Sequence, residues 1–294
     1  MARVRAVGAI AAVMVAVAFV VPAPASAGVA NGRIAFGRFA SNFGIGTIQP
    51  DGSGLTKLTS EFDYSAVWSP DGQRIAFVRF RSSRRSIVYV MRADGGNLHR
   101  IFVYVDPPAG STTFLDGLDW SPDGSWIAMT WFGNDREEIW AIHPDGSGLA
   151  HLTDGIRGSQ AWPAYSPDST MLAFRGGGGQ NGFIGIFTVG LNHRDVLYRD
   201  DAAGSPSFAD ATHIVFSATG TGSQDLFEIG TDATGLTDIT PMKGDQAEPF
   251  VSPDGTAIVY IQNFDLFTVP IAGGTVTRLT KTDVWETEPS WGAA

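Results

Sequence analysis

The chain has 294 residues with 20 Lys+Arg against 30 Asp+Glu, a formal net charge of −10, and no cysteine. That length allows about two average domains or one large all-β domain. The acidic balance argues against nucleic acid or an anionic lipid surface as partner, and the missing cysteines exclude disulfides, leaving stability to burial and hydrogen bonding.

The first element is an export signal. Arg3 and Arg5 are followed by an uncharged apolar run from Ala6 to Val21, then Pro22, Pro24 and the small residues Ala25-Ser26-Ala27. Positive start, apolar centre and small-residue cleavage site are the three parts of a secretory signal peptide. The run is about 16 residues, short of the about 20 that a bilayer-spanning helix needs. Residues 1–27 are therefore expected to be cleaved. The exported part, 28–294, keeps 18 basic and 30 acidic residues, a net charge of −12, and no stable membrane anchor.

From Asn31 onward one apolar triplet recurs: Ile34-Ala35-Phe36, Ile75-Ala76-Phe77, Ile127-Ala128-Met129, Leu172-Ala173-Phe174, Ile214-Val215-Phe216 and Ile258-Val259-Tyr260. The steps between copies are 41, 52, 45, 42 and 44 residues. That is the period of a four-stranded propeller blade, and six copies give six blades. Upstream of four triplets stands a turn: Trp68-Ser69-Pro70-Asp71-Gly72, Trp120-Ser121-Pro122-Asp123-Gly124, Tyr165-Ser166-Pro167-Asp168-Ser169 and Val251-Ser252-Pro253-Asp254-Gly255; the fifth unit has the degenerate Phe208-Ala209-Asp210. Proline presets φ and glycine takes positive φ, so each reads as a hairpin tip. A third strand follows, then a second turn such as Pro144-Asp145-Gly146, then a fourth strand ending in Leu58-Thr59, Leu152-Thr153, Ile239-Thr240 or Leu279-Thr280. Each unit is thus four turn-linked strands, A to D, without helical periodicity.

The first unit begins directly with strand B, while Glu288-Pro289-Ser290-Trp291 has the strand-A pattern with no strand B after it. Residues 285–292 are expected to pair with residues 33–59 and close the ring, leaving only short, protected edges. The fold class is all-β, a closed six-bladed propeller.

The Ser-Pro-Asp-Gly turn, the Ile-Ala-Phe strand and the Asp-Gly turn before a terminal Leu-Thr resemble the WD40-like repeats of the TolB family. Related repeats occur in the propellers of prolyl oligopeptidase-like and tricorn-like peptidases. The resemblance spans the exported chain and implies an exported TolB-like propeller. TolB itself carries an α/β domain ahead of its propeller, and no segment of this sequence corresponds to it.

For chemistry, the Gly-x-Ser-x-Gly elbow of a peptidase is missing. His99, His143, His151, His193 and His213 fall on outer strands and turns without metal-site spacing. The repeated turn aspartates suit local hydrogen bonding to backbone N–H groups better than calcium, and no cofactor is expected, although calcium remains open. The aromatics Trp68, Trp120, Tyr165, Phe208 and Trp291 share one repeat position and are expected between blades. Recognition is expected on the face formed by the D–A and B–C loops, around one mouth of the axial channel. Carboxylates precede or open strand A there (Asp63, Asp116, Glu248, Glu288), and large or cationic groups occupy B–C loops (Arg84, Trp131). The 52-residue step adds an elaborated D–A connection around Val105–Thr113. Aromatics and Arg beside carboxylates suit a protein or peptide partner in the cell envelope or outside it, bound without catalysis. The competing reading is an enzyme or small-ligand binder, with Asp116, Glu248 and Glu288 converging on a glycan or divalent cation.

Overall fold

The computed structural model describes residues 29–294 apart from 40–43, 83–84, 106–113, 134–135, 178–180, 192 and 221. The expected signal segment, Arg84 and the Asp106-Pro107-Pro108 stretch lie outside the described residues.

Six four-stranded antiparallel sheets stand around one axis. Blade 1 is composite: Trp285–Ala293 is its inner strand A, followed outward by Asn31–Phe39, Gly44–Ile48 and Thr56–Lys57. Register pairs Ile34 with Trp291, Ala35 with Ser290 and Arg38 with Glu286, so the closing strand is laddered along its length on either side of two register shifts. Blades 2 to 6 run outward in chain order from the inner strands Asp63–Trp68, Phe114–Trp120, Gln160–Tyr165, Gly204–Phe208 and Gln246–Val251. Each inner strand touches those of both flanking blades, and the blade 6 strand touches that of blade 1, which completes the ring.

The strand-B triplet repeats because every one of its residues is fully buried, from Ile34 to Tyr260. Strand B has a neighbouring blade on both faces, so neither face can carry the polar alternation of a half-exposed sheet. The small middle residue points one way and its two large flankers the other. Ala35 packs with Trp68, Ile75 and Phe77 of blade 2; Ala76 with Trp120, Ile127 and Met129 of blade 3; Ala128 with Tyr165, Leu172 and Phe174 of blade 4. The last seam, Val259 against Ile34, Phe36 and Trp291, uses the same arrangement. Ring closure is thus one more copy of the ordinary blade contact.

The turns behave as local chemistry requires. Ser121 Oγ donates to Asp123 Oδ1 at 2.6 Å, and the same oxygen accepts from Ser125 N at 2.9 Å. The pattern recurs at Ser166/Asp168 and Ser252/Asp254. The Ser121 hydroxyl holds the Asp123 carboxyl below the usual range, and the Ser166 hydroxyl does so for Asp168.

The terminal Leu-Thr has a second physical reason. Thr59, Thr153, Thr240 and Thr280 each accept, on Oγ1, the backbone N–H that opens strand C: Ile45, Ile139, Leu226 and Leu266, at 2.8–3.0 Å. The hydroxyl takes the place of a ladder partner, and strand D in those blades is only two residues long. Blades 2 and 4, without this threonine, run longer outer strands, His99–Val105 and Arg194–Arg199.

Candidate functional site: an acid-floored axial funnel

The axis is shaped by a feature repeated in every inner strand. Three residues before the seam aromatic (Val251 in blade 6) the ladder register slips, in all six blades. The residues there are Ser65, Gly117, Trp162, Ser205, Glu248 and Glu288, and all have φ between 46° and 54°. Only one is glycine. Side-chain-bearing residues in this left-handed region cost about 1 kcal/mol or more each, and a bulge re-aims the strand at that point. In four blades proline follows (Pro163, Pro206, Pro249, Pro289), which suits a bulge because proline has no N–H for the ladder.

Above this ring of bulges the inner strands splay into a funnel of about 800 Å³, bounded at its mouth by the A–B turns with Pro70, Pro122, Pro167 and Pro253. Its walls include Leu118, Trp162, Pro163, Pro249 and Phe250, and its deeper lining includes Asp119, Glu248 and Glu288. The funnel therefore opens on the face opposite the D–A and B–C loops.

At the funnel floor a chain of hydrogen bonds crosses three seams. Glu248 Oε2 of blade 6 accepts Glu288 N of blade 1 at 2.6 Å; Glu288 Oε2 accepts Ser65 N of blade 2 at 2.8 Å; Ser65 Oγ accepts Leu118 N of blade 3 at 2.9 Å. The bulge leaves these N–H groups without ladder partners, and the neighbouring blade's side chain supplies one. Two further acceptors sit one residue before the seam aromatic: Asp119 Oδ2 takes Tyr165 N at 2.6 Å, and Ser207 Oγ takes Val251 N at 3.1 Å.

Asp116 shares a side-chain hydrogen bond with Glu288, and the two differ in their response to it. Burial raises both carboxyls, but the bond lowers Asp116 and raises Glu288 further. Two carboxyl groups in one desolvated site cannot both ionise, and both are held above the usual carboxylate range, Glu288 further than Asp116. Burial also pushes Asp119 and Glu248 up to about 7. These side chains are partly exposed by accessible surface, and Asp119, Glu248 and Glu288 show theirs to the funnel, where the surrounding strands still desolvate them.

Of the residues singled out in the sequence, Asp116, Glu248 and Glu288 are brought together here. Asp63 has no exposed surface; Arg79 Nε and Nη2 donate to its two oxygens at 2.5 and 2.8 Å. Trp131 packs on Tyr104 and Trp140, with ring centroids 4.3 and 5.1 Å away. The loop face carries instead a stacked, exposed pair, Phe264 on Trp285 at 4.7 Å. The histidines lie away from the axis: His143 bonds Ser125 O at 2.7 Å, His151 stacks on Trp140, and His99, His193 and His213 are exposed. Among the described residues no group of three or more His, Cys, Asp and Glu side chains is arranged to hold a metal ion. Asp119, Trp162 and the bulge itself were missed by sequence reasoning, although the X-Pro dipeptides at one repeat position signalled it.

No family model matches the chain. It is 25% identical over 197 residues to an uncharacterized protein of Agrobacterium fabrum, covering 67% of this chain and 54% of that one. It is 30% identical over 128 residues to a TolB homolog of Chlorobium luteolum, covering 42% of this chain but only 26% of the relative. Among solved structures, TolB from Acinetobacter baumannii superposes with a TM-score of 0.71 at 21% identity, over 88% of this chain and 66% of that one. The chain thus spans about half or less of these curated relatives. With six blades and a closing C-terminal strand, the chain is a six-bladed β-propeller similar in fold to that of TolB.

Proposed function

We propose that this chain works after export, in the cell envelope or outside the cell, as a non-catalytic interaction module that holds a segment of a protein partner in its axial funnel. A likeness to TolB supports a protein-interaction role in the envelope in general terms. The observation that carries the specific reading is the funnel: a concave site of about 800 Å³ with apolar walls and a few polar groups at its depth is the form that binding sites take. The net charge of −12 disfavours nucleic acid and anionic lipid, and among the described residues no helix is long and apolar enough to cross a membrane.

The test is a blocked funnel. Blade 4 already carries tryptophan at the bulge position, so Ser205→Trp places the same side chain at an equivalent φ in the next blade. The exported chain should recover a polypeptide from envelope extract, and S205W should not. Phe264→Ala, on the opposite face, should leave recovery intact. Equal recovery by S205W removes the funnel from the account, and a loss with F264A alone moves recognition to the loop face.

A further inference from the structure

The lining of the funnel is one-sided in charge. It includes Asp119, Glu248 and Glu288 at depth and Asp168, Asp210 and Asp254 at the mouth, with no Lys, Arg or His among the described residues. The mouth aspartates are occupied by their own turns; Asp254 Oδ1, for instance, accepts from Ser252 Oγ, Thr256 N and Thr256 Oγ1. Of the deep ones, Glu288 is engaged by Ser65 and Asp116, while Glu248 and Asp119 are not used up. Glu248 accepts one hydrogen bond, on Oε2, and Asp119 one from another blade, on Oδ2, so each keeps a second oxygen with no bond from another blade among the described residues.

A second observation points to the same place. Ser290 lines the funnel, is 2% exposed, and its Oγ has no hydrogen-bond partner among the described residues. At the equivalent repeat position Asp119 and Ser207 each accept the next blade's N–H. A buried hydroxyl left unmatched is costly unless something completes it. Arg175 does not neutralise the floor: it stacks on Trp162 at 5.1 Å, pairs with Glu137 at 3.7 Å, and is not part of the lining.

Resting on the funnel reading above, we propose that the partner inserts a Lys or Arg side chain, its alkyl stem along the apolar wall and its cationic head at the acidic floor that Glu248 and Asp119 line from opposite blades. A stem of three or four methylenes covers apolar wall while its head reaches the polar floor, which a bare hydrated ion does not do. A calcium ion asks for six to eight oxygens, several of them from carboxylates, and among the described residues no three His, Cys, Asp or Glu side chains are arranged to hold a metal ion. Burial that lifts Asp119 and Glu248 to about 7 also means that an arriving cation drives off protons, so binding strengthens from pH 6 to pH 8.

The experiment selects phage-displayed random dodecapeptides on the exported chain and scores each for loss of binding to S205W. Peptides that depend on an open funnel should share one Lys or Arg. Replacing that Lys by norleucine, or that Arg by citrulline, should weaken binding at least tenfold on wild type, but less than threefold on Glu248→Gln/Asp119→Asn. Both substitutions keep an oxygen for the neighbouring N–H, and the difference between the two losses is insensitive to a small change in fold stability. Funnel-dependent peptides without a shared basic residue overturn the cation inference and leave the funnel reading standing. Peptides indifferent to S205W overturn both. If calcium chloride alone raises the melting temperature by several degrees, and E248Q abolishes the rise, the cation is a metal ion and the inference fails.

Discussion

The backbone N–H of Glu288 donates to the carboxylate of Glu248, 2.6 Å away, across the seam where the last blade meets the first. One residue belongs to the closing strand and the other to the strand one repeat earlier, so a single bond ties ring closure to the funnel floor. Both carboxyl groups therefore have a structural role as acceptors for bulge N–H groups.

Ring closure should be the least dispensable part of the fold. Trp291 is 5% exposed and packs with Ile34, Phe36 and Val259 across the closing seam. Trp291→Ala should cost about 3–5 kcal/mol in urea unfolding. Trp285→Ala, on the same strand but 57% exposed, should cost less than about 1 kcal/mol.

Glutamine and alanine at position 288 should part company. Glu288→Gln keeps an acceptor for Ser65 N, whereas Glu288→Ala leaves that buried N–H and the Asp116 carboxylate without their partner. The alanine variant should be about 1–3 kcal/mol less stable than the glutamine variant at neutral pH. Equal stability of the two would remove the side-chain bond as a stabilising element.

The strand-ending threonine should matter through its hydroxyl. Thr153 is fully buried and accepts Ile139 N at 3.0 Å. Thr153→Val conserves shape and removes the acceptor, at a cost of about 1–3 kcal/mol in thermal or urea unfolding. Thr153→Ser should recover most of that loss.

Stability should fall on both sides of mildly acidic pH, for opposite reasons. Burial raises Glu248 and Asp119 to about 7 from 4.5 and 3.8, so their contribution is full below about pH 4 and is lost as pH rises through 7. Hydrogen bonds lower Asp254 to about 2 against its burial, so its contribution is present above 3.8 and is lost as pH falls through 2. Glu248→Gln should raise the melting temperature at pH 8 and change it little at pH 4. Asp254→Asn should lower it at pH 7 and converge on wild type near pH 2.

The ring was legible because its signal is redundant: six triplets of fully buried residues, each flanked by turn residues with local hydrogen bonds. The closing strand was legible for the same reason, since Trp291 stands in the place of Trp68 and Trp120. The funnel was not. Which way an inner strand faces the axis depends on the bulge, and the bulge is a backbone slip that side-chain alternation does not encode. Its trace was present in Trp162-Pro163, Ser205-Pro206, Glu248-Pro249 and Glu288-Pro289, all at one repeat position. Convergence of Glu248 and Glu288 follows from that same alignment, because consecutive blades place equivalent residues side by side. Asp63 looked like its neighbours in sequence, but its register partner across the strand pair is Arg79, and that pairing holds it in the core.

The funnel is tested most directly by a photo-crosslinking residue, p-benzoylphenylalanine, placed at Ser205 or at Phe264 in the exported chain and irradiated in cells. The account predicts a covalent adduct with a polypeptide from position 205, beside Trp162 on the axis, and none from 264. Adducts from position 264 with none from 205 would contradict it.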